Sequence, residues 1–152
     1  MSKYYFDEEA ANKAVQFIET HLTHTKGELA KKPFILQEYQ KEQIIKPLFG
    51  WKNKEDDSRK YRTAFIFLPR KNGKSTLAAA IILTLLYLDQ EYGAEYYSAA
   101  NDKEQAKIVY SVVADMVKNN PKLESYVEIF KNSIVYNAQG SFYKAISRET
   151  ST

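Results

Sequence analysis

The sequence predicts an α/β protein, a sheet with parallel strands flanked by helices, and three observations carry that reading. An apolar, β-rich run at residues 64–68, Ala64-Phe65-Ile66-Phe67-Leu68, passes through a short basic turn into an Ala/Leu-rich stretch at residues 77–88. A second unit of the same kind follows, a strand-like run at residues 94–100 and then Ala106, Val109, Val113 and Val117 at helical spacing. Strand–helix–strand–helix order favours parallel strands joined by right-handed crossovers.

Taken from the amino terminus, residues 7–21 read as a helix. Asp7 is placed to cap it, Glu8 and Glu9 suit the positive end of its dipole, and Ala11, Ala14, Ile18 and Leu22 recur on one face. Gly27 and Lys31-Lys32-Pro33 mark a loop. Residues 37–49, with Ile44, Ile45 and Leu48, suggest a second helix, interrupted near Pro47 and closed by Gly50. The connector at residues 51–62 holds five basic and three acidic residues, a mixture that suits a solvated loop better than a nucleic-acid patch. After the strand at 94–100, Asn101 with Glu104 three residues on reads as a helix cap. Pro121 ends that helix, because the residue before a proline is pushed out of the α region. Residues 127–130, 133–136 and 142–146 are short strand candidates, the last two joined by the hairpin loop Asn137-Ala138-Gln139-Gly140.

The chemistry is concentrated in Arg70-Lys71-Asn72-Gly73-Lys74-Ser75-Thr76. Strand, then Gly-Lys-Ser, then helix is an arrangement that holds a nucleotide's phosphates. Turn N–H groups point inward, and the free N–H groups and positive dipole end of the helix face the anion. In such a site Lys74 reaches the β/γ-phosphates and Ser75 binds Mg²⁺. Gly73 lets the backbone approach the phosphate oxygens, and Asn72-Gly73 supplies conformations with φ > 0. Thr76 suits either the α-phosphate or a backbone cap at the helix start. The full pattern begins with a glycine where this chain has Leu68, so the match is to a variant of the phosphate loop. An Asn-Gly hairpin is the competing reading, but it needs a strand next, and Ala78-Ala79-Ala80 favour a helix. The expected architecture is thus a P-loop NTPase-like sheet with parallel strands, incomplete at the C-terminus.

Composition sets the outer bounds. At 152 residues the chain is one domain or part of one, and its 44% apolar and 27% charged content is that of a globular protein. With no cysteine, disulfides and thiolate metal sites are excluded, in keeping with a cytosolic setting. A net charge of +3 favours contact with a polyanion without establishing one. Neither end looks like a targeting signal, and the most apolar stretch, residues 77–88, falls short of the roughly 20 residues that span a bilayer. It reads as a helix buried on most sides. His21 and His24 are three apart, but a zinc site there would need carboxylates or water to complete it. Tyr4-Tyr5 and Tyr96-Tyr97 suit core packing better than base stacking.

The departure from the full phosphate-loop pattern points to a family. Pro69-Arg70-Lys71-Asn72-Gly73-Lys74-Ser75 resembles the variant loop of the large terminase subunits of tailed bacteriophages, ATP-driven motors that package DNA. An arginine three residues before the glycine, here Arg70, is common in that family. Upstream, Phe34-Ile35-Leu36-Gln37-Glu38-Tyr39-Gln40 is similar to its adenine-recognition segment. Downstream, Tyr96-Tyr97-Ser98-Ala99-Ala100-Asn101-Asp102-Lys103-Glu104-Gln105-Ala106 is similar to its next strand-to-helix segment. The resemblance covers residues 34–147. It implies that Gln40 reads the adenine, an assignment that competes with a polar residue on an exposed helix face. It implies that Arg70 stabilises charge on the γ-phosphate, against the alternative of an exposed basic residue that adds affinity only. Gln105 would couple nucleotide state to DNA, or is simply helix-surface polarity.

A motor of this type also carries an apolar strand ending in acidic residues, which holds Mg²⁺ through water and activates the attacking water. No stretch of this chain fits. Asp56-Asp57 follows a polar stretch, and Asp89 ends the helix that begins at the phosphate loop. No nuclease-like acidic cluster is present. The expectation is therefore an N-terminal portion of a single ATPase domain, residues 1–33 a helical lead-in and 34–152 the nucleotide-binding core, with weak or absent ATP hydrolysis by this chain alone. In the parent protein the resemblance implies ATP and Mg²⁺ as cofactors. Its implied partners are double-stranded DNA, the small terminase subunit, the portal protein and the rest of the large subunit, in the cytoplasm of the bacterial host. Two alternatives stand beside it, another phosphate-loop ATPase of helicase-like type and a non-catalytic DNA-binding or assembly module.

Overall fold

The computed structural model describes residues 2–61, 74–89, 91–100 and 102–148. The strand expected at residues 64–68 and the turn through Arg70, Asn72 and Gly73 lie outside these residues.

The first helix, α1 (Glu8–His21), starts where the sequence places it: the Asp7 carboxylate accepts from the Ala10 N–H at 3.0 Å. Its inner face buries Ala11, Ala14, Val15, Phe17 and Ile18. The residues on either side of it differ from expectation. Tyr4–Phe6 form a short strand, β1, and Trp51–Asn53 form β2; the two pair antiparallel, Phe6 opposite Trp51. Residues 51–62 are thus not simply a solvated loop. Lys52 bonds to Asp7 at 2.9 Å, Tyr5 donates to Asp57 at 2.8 Å, and Lys60 sits 4.4 Å from the centre of the Tyr4 ring.

The second helix is also unlike the expectation. It runs through Pro47 without interruption, as a π-helical segment, Gln40–Ile45, followed by α2 (Lys46–Gly50). The Lys46 N–H bonds five residues back, to the Lys41 carbonyl, in the wider π turn. Pro47 then lies in the first turn of α2, where a missing N–H costs least.

The next helix, α3 (Lys74–Leu88), is buried on most sides as predicted, with Leu77, Ala79, Ala80, Leu83, Thr84, Leu86 and Tyr87 inside. Thr84 satisfies its hydroxyl on the Ala80 carbonyl at 2.7 Å. After β3 (Glu95–Ala100) comes α4 (Lys103–Lys118), with Val113 and Val117 fully buried and Ala106 and Val109 partly so. Its cap is Asp102, whose side chain accepts from the Gln105 N–H, rather than the neighbouring Asn101 of the sequence reading. The helix ends at Lys118, and Pro121 opens a short helix, α5 (Pro121–Glu124), capped by Asn120. Three strands follow, β4 (Val127–Ile129), β5 (Ser133–Tyr136) and β6 (Ser141–Ser147). The hairpin loop before β6 turns at Gly140, whose φ of 65° favours glycine.

The sheet order is β3-β6-β5-β4. Strands β3 and β6 run parallel, Glu95 opposite Phe142 and Ala100 opposite Ser147, while β5 is antiparallel to both its neighbours. The sheet is therefore mixed, with its parallel pair at one side. Both α3 and α4 pack on β6, and α4 reaches β3 as well. They cover the face that carries Tyr143 and Ile134, both with no exposed surface. Residues of α1, α2, α3, α4 and the sheet share one continuous apolar core.

Candidate phosphate-binding site

Lys74, Ser75 and Thr76 form the first turn of α3. Lys74 is exposed and the two hydroxyl residues are partly exposed, whereas the next residue, Leu77, is 1% exposed. The leucine fixes the turn to the core and leaves the polar groups facing outward. The first four N–H groups of a helix have no partner within it, so this turn offers donors at the positive end of a 15-residue dipole.

The position of that turn follows from how α3 ends. At its far end Asp89 accepts the Tyr96 hydroxyl at 2.8 Å, and Tyr96 is the second residue of β3. Tyr87 donates to the Leu123 carbonyl at 2.7 Å, just beyond the end of α4. The C-terminus of α3 thus lies where β3 begins and α4 ends. At about 1.5 Å per residue, α3 is roughly as long as β3 at about 3.3 Å per residue. Its first turn accordingly sits toward the carboxyl ends of β3 and β6, together with the Asp102-capped start of α4. Ligands of open α/β sheets bind at that edge.

Gln40 lies elsewhere than the exposed face that was its competing assignment. It is 3% exposed, and its Oε1 accepts from the Gln37 N–H at 2.9 Å, a reach-back bond at the start of the helix. The segment before it is clamped onto α1. The Phe34 N–H bonds to the Leu22 carbonyl at 2.9 Å, and the Leu36 N–H to Glu19 at 3.0 Å. Phe34 and Leu36 are 5% exposed and Ile35 is 59% exposed, the alternation of an extended strip lying on a surface. Gln105 is exposed in the first turn of α4. His21 packs on Phe17 and His24 on Phe34, with ring centres 5.5 and 5.1 Å apart. Tyr97 of the Tyr96-Tyr97 pair is half exposed and meets Phe142 edge-on.

Sequence reasoning missed the network at the other end of α3. Asp89 takes both the Arg59 guanidinium at 3.0 Å and the Tyr96 hydroxyl. Burial, and then the hydrogen bond to Asp89, push the Tyr96 phenol well above its ordinary value, so it stays a donor. A cleft of about 870 Å³ opens here between α1, the connector and α3. Its size does not make it a phosphate site: Lys52 is paired with Asp7 and Arg59 with Asp89, and Glu9, Asp57 and Glu91 add further carboxylates to its walls beside one more lysine, Lys13. Only a distant residue pairing, 30 positions for Arg59–Asp89, would have revealed it.

Among the described residues no group of three His, Cys, Asp or Glu side chains is placed to hold a metal ion. Mg²⁺ at a phosphate site asks for less, since it keeps several waters and takes one or two protein oxygens beside the phosphates. The half-exposed Ser75 hydroxyl beside exposed Lys74 fits that need.

Comparison with known proteins bears on the fold and the family. A family model described as the terminase large subunit, ATPase domain, matches residues 38–152. The chain belongs to that family. It is 30% identical over 143 residues to the large terminase subunit of Enterobacteria phage HK97, covering 92% of this chain and 27% of that protein. Among solved structures, the HK97 bacteriophage large terminase superposes with a TM-score of 0.78 at 28% identity, over 93% of this chain and 28% of that one. The terminase-family chain described here therefore spans about a quarter of the length of these relatives. The α/β architecture with helices flanking a mixed sheet is common to it and the HK97 structure.

Proposed function

We propose that this chain is the ATP-binding part of a phage DNA-packaging motor, which in the full-length large subunit couples ATP hydrolysis to translocation of double-stranded DNA. The observation that carries the proposal is the Lys74-Ser75-Thr76 turn at the start of α3, held toward the carboxyl ends of the parallel strands. Lys74 contacts the β/γ-phosphates and Ser75 holds Mg²⁺, which neutralises charge on the phosphates when bound. Thr76 contacts the α-phosphate, and Asn72 and Gly73 bring backbone N–H groups against the phosphate oxygens. Arg70 acts on the γ-phosphate. Gln40 reads the base through the Nε2 end of its amide, since Oε1 is engaged at the helix start. In the host cytoplasm the full-length subunit would meet DNA, the small terminase subunit and the portal protein.

The test is equilibrium binding of a fluorescent ATP analogue with Mg²⁺, comparing this chain with Lys74→Ala. Saturable binding that Lys74→Ala abolishes is expected; equal affinity in both refutes the site. Gln40→Ala should narrow the difference in affinity between ATP and GTP, and an unchanged preference removes the base contact. In the full-length subunit Arg70→Ala should lower turnover far more than ATP affinity, and an equal loss of both would deny it a role in the transition state.

A further inference from the structure

Asp89 holds two donors from different elements on a single oxygen. Its Oδ2 accepts from the Arg59 guanidinium at 3.0 Å and from the Tyr96 hydroxyl at 2.8 Å. In sequence Arg59 comes before the phosphate-loop segment, Asp89 follows the last residue of α3, and Tyr96 belongs to β3. One carboxylate thus joins the two ends of residues 59–89 to each other and to the sheet.

Arg59 is itself anchored. Its backbone bridges antiparallel to Lys52 of β2, and the neighbouring Lys60 N–H donates to the Trp51 carbonyl at 2.8 Å. The guanidinium lies 6.0 Å from the centre of the Phe49 ring. On the helix side, the Asp89 N–H bonds to the Leu85 carbonyl at 3.1 Å, which continues the pattern of α3 up to the clasp.

The clasp matters for direction more than for energy. The Arg59 and Asp89 side chains are 25% and 23% exposed, and ion pairs that meet water contribute little net stability. Apolar packing carries most of the burial of α3 but is non-directional. Hydrogen bonds to a charged acceptor have a preferred distance and angle, so they fix where a helix end stands. At about 1.5 Å per residue, Lys74 lies roughly 22 Å along α3 from Asp89. A small tilt at the clasp therefore becomes a displacement of ångströms at the phosphate end.

We infer that Asp89 is a positioning residue for phosphate binding. By clasping Arg59 and Tyr96 it sets the tilt and axial position of α3, and so where Lys74, Ser75 and Thr76 stand at the carboxyl edge of the sheet. The inference rests on the phosphate reading above and adds to it a residue at the opposite end of the helix, which touches no nucleotide.

The experiment pairs a distance with an affinity. The chain has no cysteine, so spin labels on Lys74→Cys and Gln105→Cys, both exposed positions, report the separation between the starts of α3 and α4. Measured by double electron–electron resonance without nucleotide, that distribution should shift or broaden in Asp89→Ala. It should stay as it is in Thr84→Val, which removes a bond within α3, to the Ala80 carbonyl, and leaves both ends alone. In unlabelled variants, affinity for a fluorescent Mg-ATP analogue should fall at least about fivefold in Asp89→Ala, the lower end of ordinary coupling between separate sites. Thr84→Val should keep its affinity, and Asp89→Asn, which retains an acceptor for Tyr96, should recover part of the loss. Thermal melts establish that each variant is folded at the assay temperature, and Tyr96→Phe carries the same comparison where Asp89→Ala is not. An unchanged distance distribution or an unchanged affinity in the folded clasp variant would overturn the inference. So would an equal loss of affinity in Thr84→Val, because binding would then follow stability rather than placement. Absence of binding by the unaltered chain is a separate result, which removes the phosphate reading itself and the role of Asp89 with it.

Discussion

At Asp7 three contacts meet. Its N–H donates to the Gly50 carbonyl at 2.7 Å, its carboxylate caps α1 through the Ala10 N–H, and the same carboxylate accepts from Lys52. The Lys52 ammonium, and after it the Ala10 N–H, hold the carboxyl below the ordinary carboxylate value. A depressed folded value means that the stabilisation is present above the unfolded pKa of about 3.9 and is lost as pH falls through the folded value. Urea unfolding of the unaltered chain should therefore weaken below about pH 4, while Asp7→Ala loses about 1 kcal/mol at neutral pH and shows less of that acid-side decline. Identical pH profiles for the two would contradict this account of Asp7. The cap was legible in the sequence, because a cap and the helix it starts are neighbours. The ion pair was not, because Lys52 is 45 positions away. Gln40 shows the same limit. Its polarity suggested a surface residue and the family resemblance a base reader, and its burial became visible only once the Phe34–Leu36 strip lay on α1.

Among the elements, the ones recovered from the sequence carry their signal locally. The helices α1, α3 and α4 have continuous apolar spacing or composition over 14 to 16 residues each, and β5 with its hairpin loop ends in a glycine at positive φ. Strands β1 and β2 are three residues each, and what makes them strands is their pairing across the whole of α1 and α2. The π segment was not legible either, since its periodicity over six residues hardly differs from that of an α-helix. Its consequence is seen at Gly50, which ends α2 in close contact with the lead-in. A Cβ at that position would lie 2.5 Å from the Phe6 ring and 3.0 Å from the Ala11 Cβ. Gly50→Ala should destabilise the chain by about 1–3 kcal/mol through overpacking, lowering the thermal midpoint. Gly27→Ala serves as the reference, since its open surroundings leave only backbone strain at a φ of 76°. A larger loss at Gly27 than at Gly50 would show that the β1–α1–α2 packing has been misread.

At the scale of the whole molecule, the order of the elements said more than any one of them. Strand–helix alternation gave the α/β class and the expectation of parallel strands; among the described strands β3 and β6 are parallel, a pairing the alternation did not name, and the antiparallel β4 and β5 make the sheet mixed. The terminase large-subunit ATPase-domain family matches residues 38–152, in agreement with the family resemblance read over residues 34–147. The half of the candidate site within the described residues is where an anion site belongs, at the amino end of α3 and the carboxyl edge of the sheet. Two surfaces of different character result. One end of α3 carries exposed Lys74, and near the other Lys52 and Arg59 are already paired with Asp7 and Asp89. The central claim is that phosphates bind at the first of these. Amide hydrogen exchange, read residue by residue on this chain with and without a non-hydrolysable Mg-ATP analogue, tests it most directly. The account predicts slowed exchange at Lys74, Ser75, Thr76 and Leu77, absent in Lys74→Ala. Slowed exchange confined to the Asp7–Arg59–Asp89 cleft, with the first turn of α3 unchanged, would contradict it.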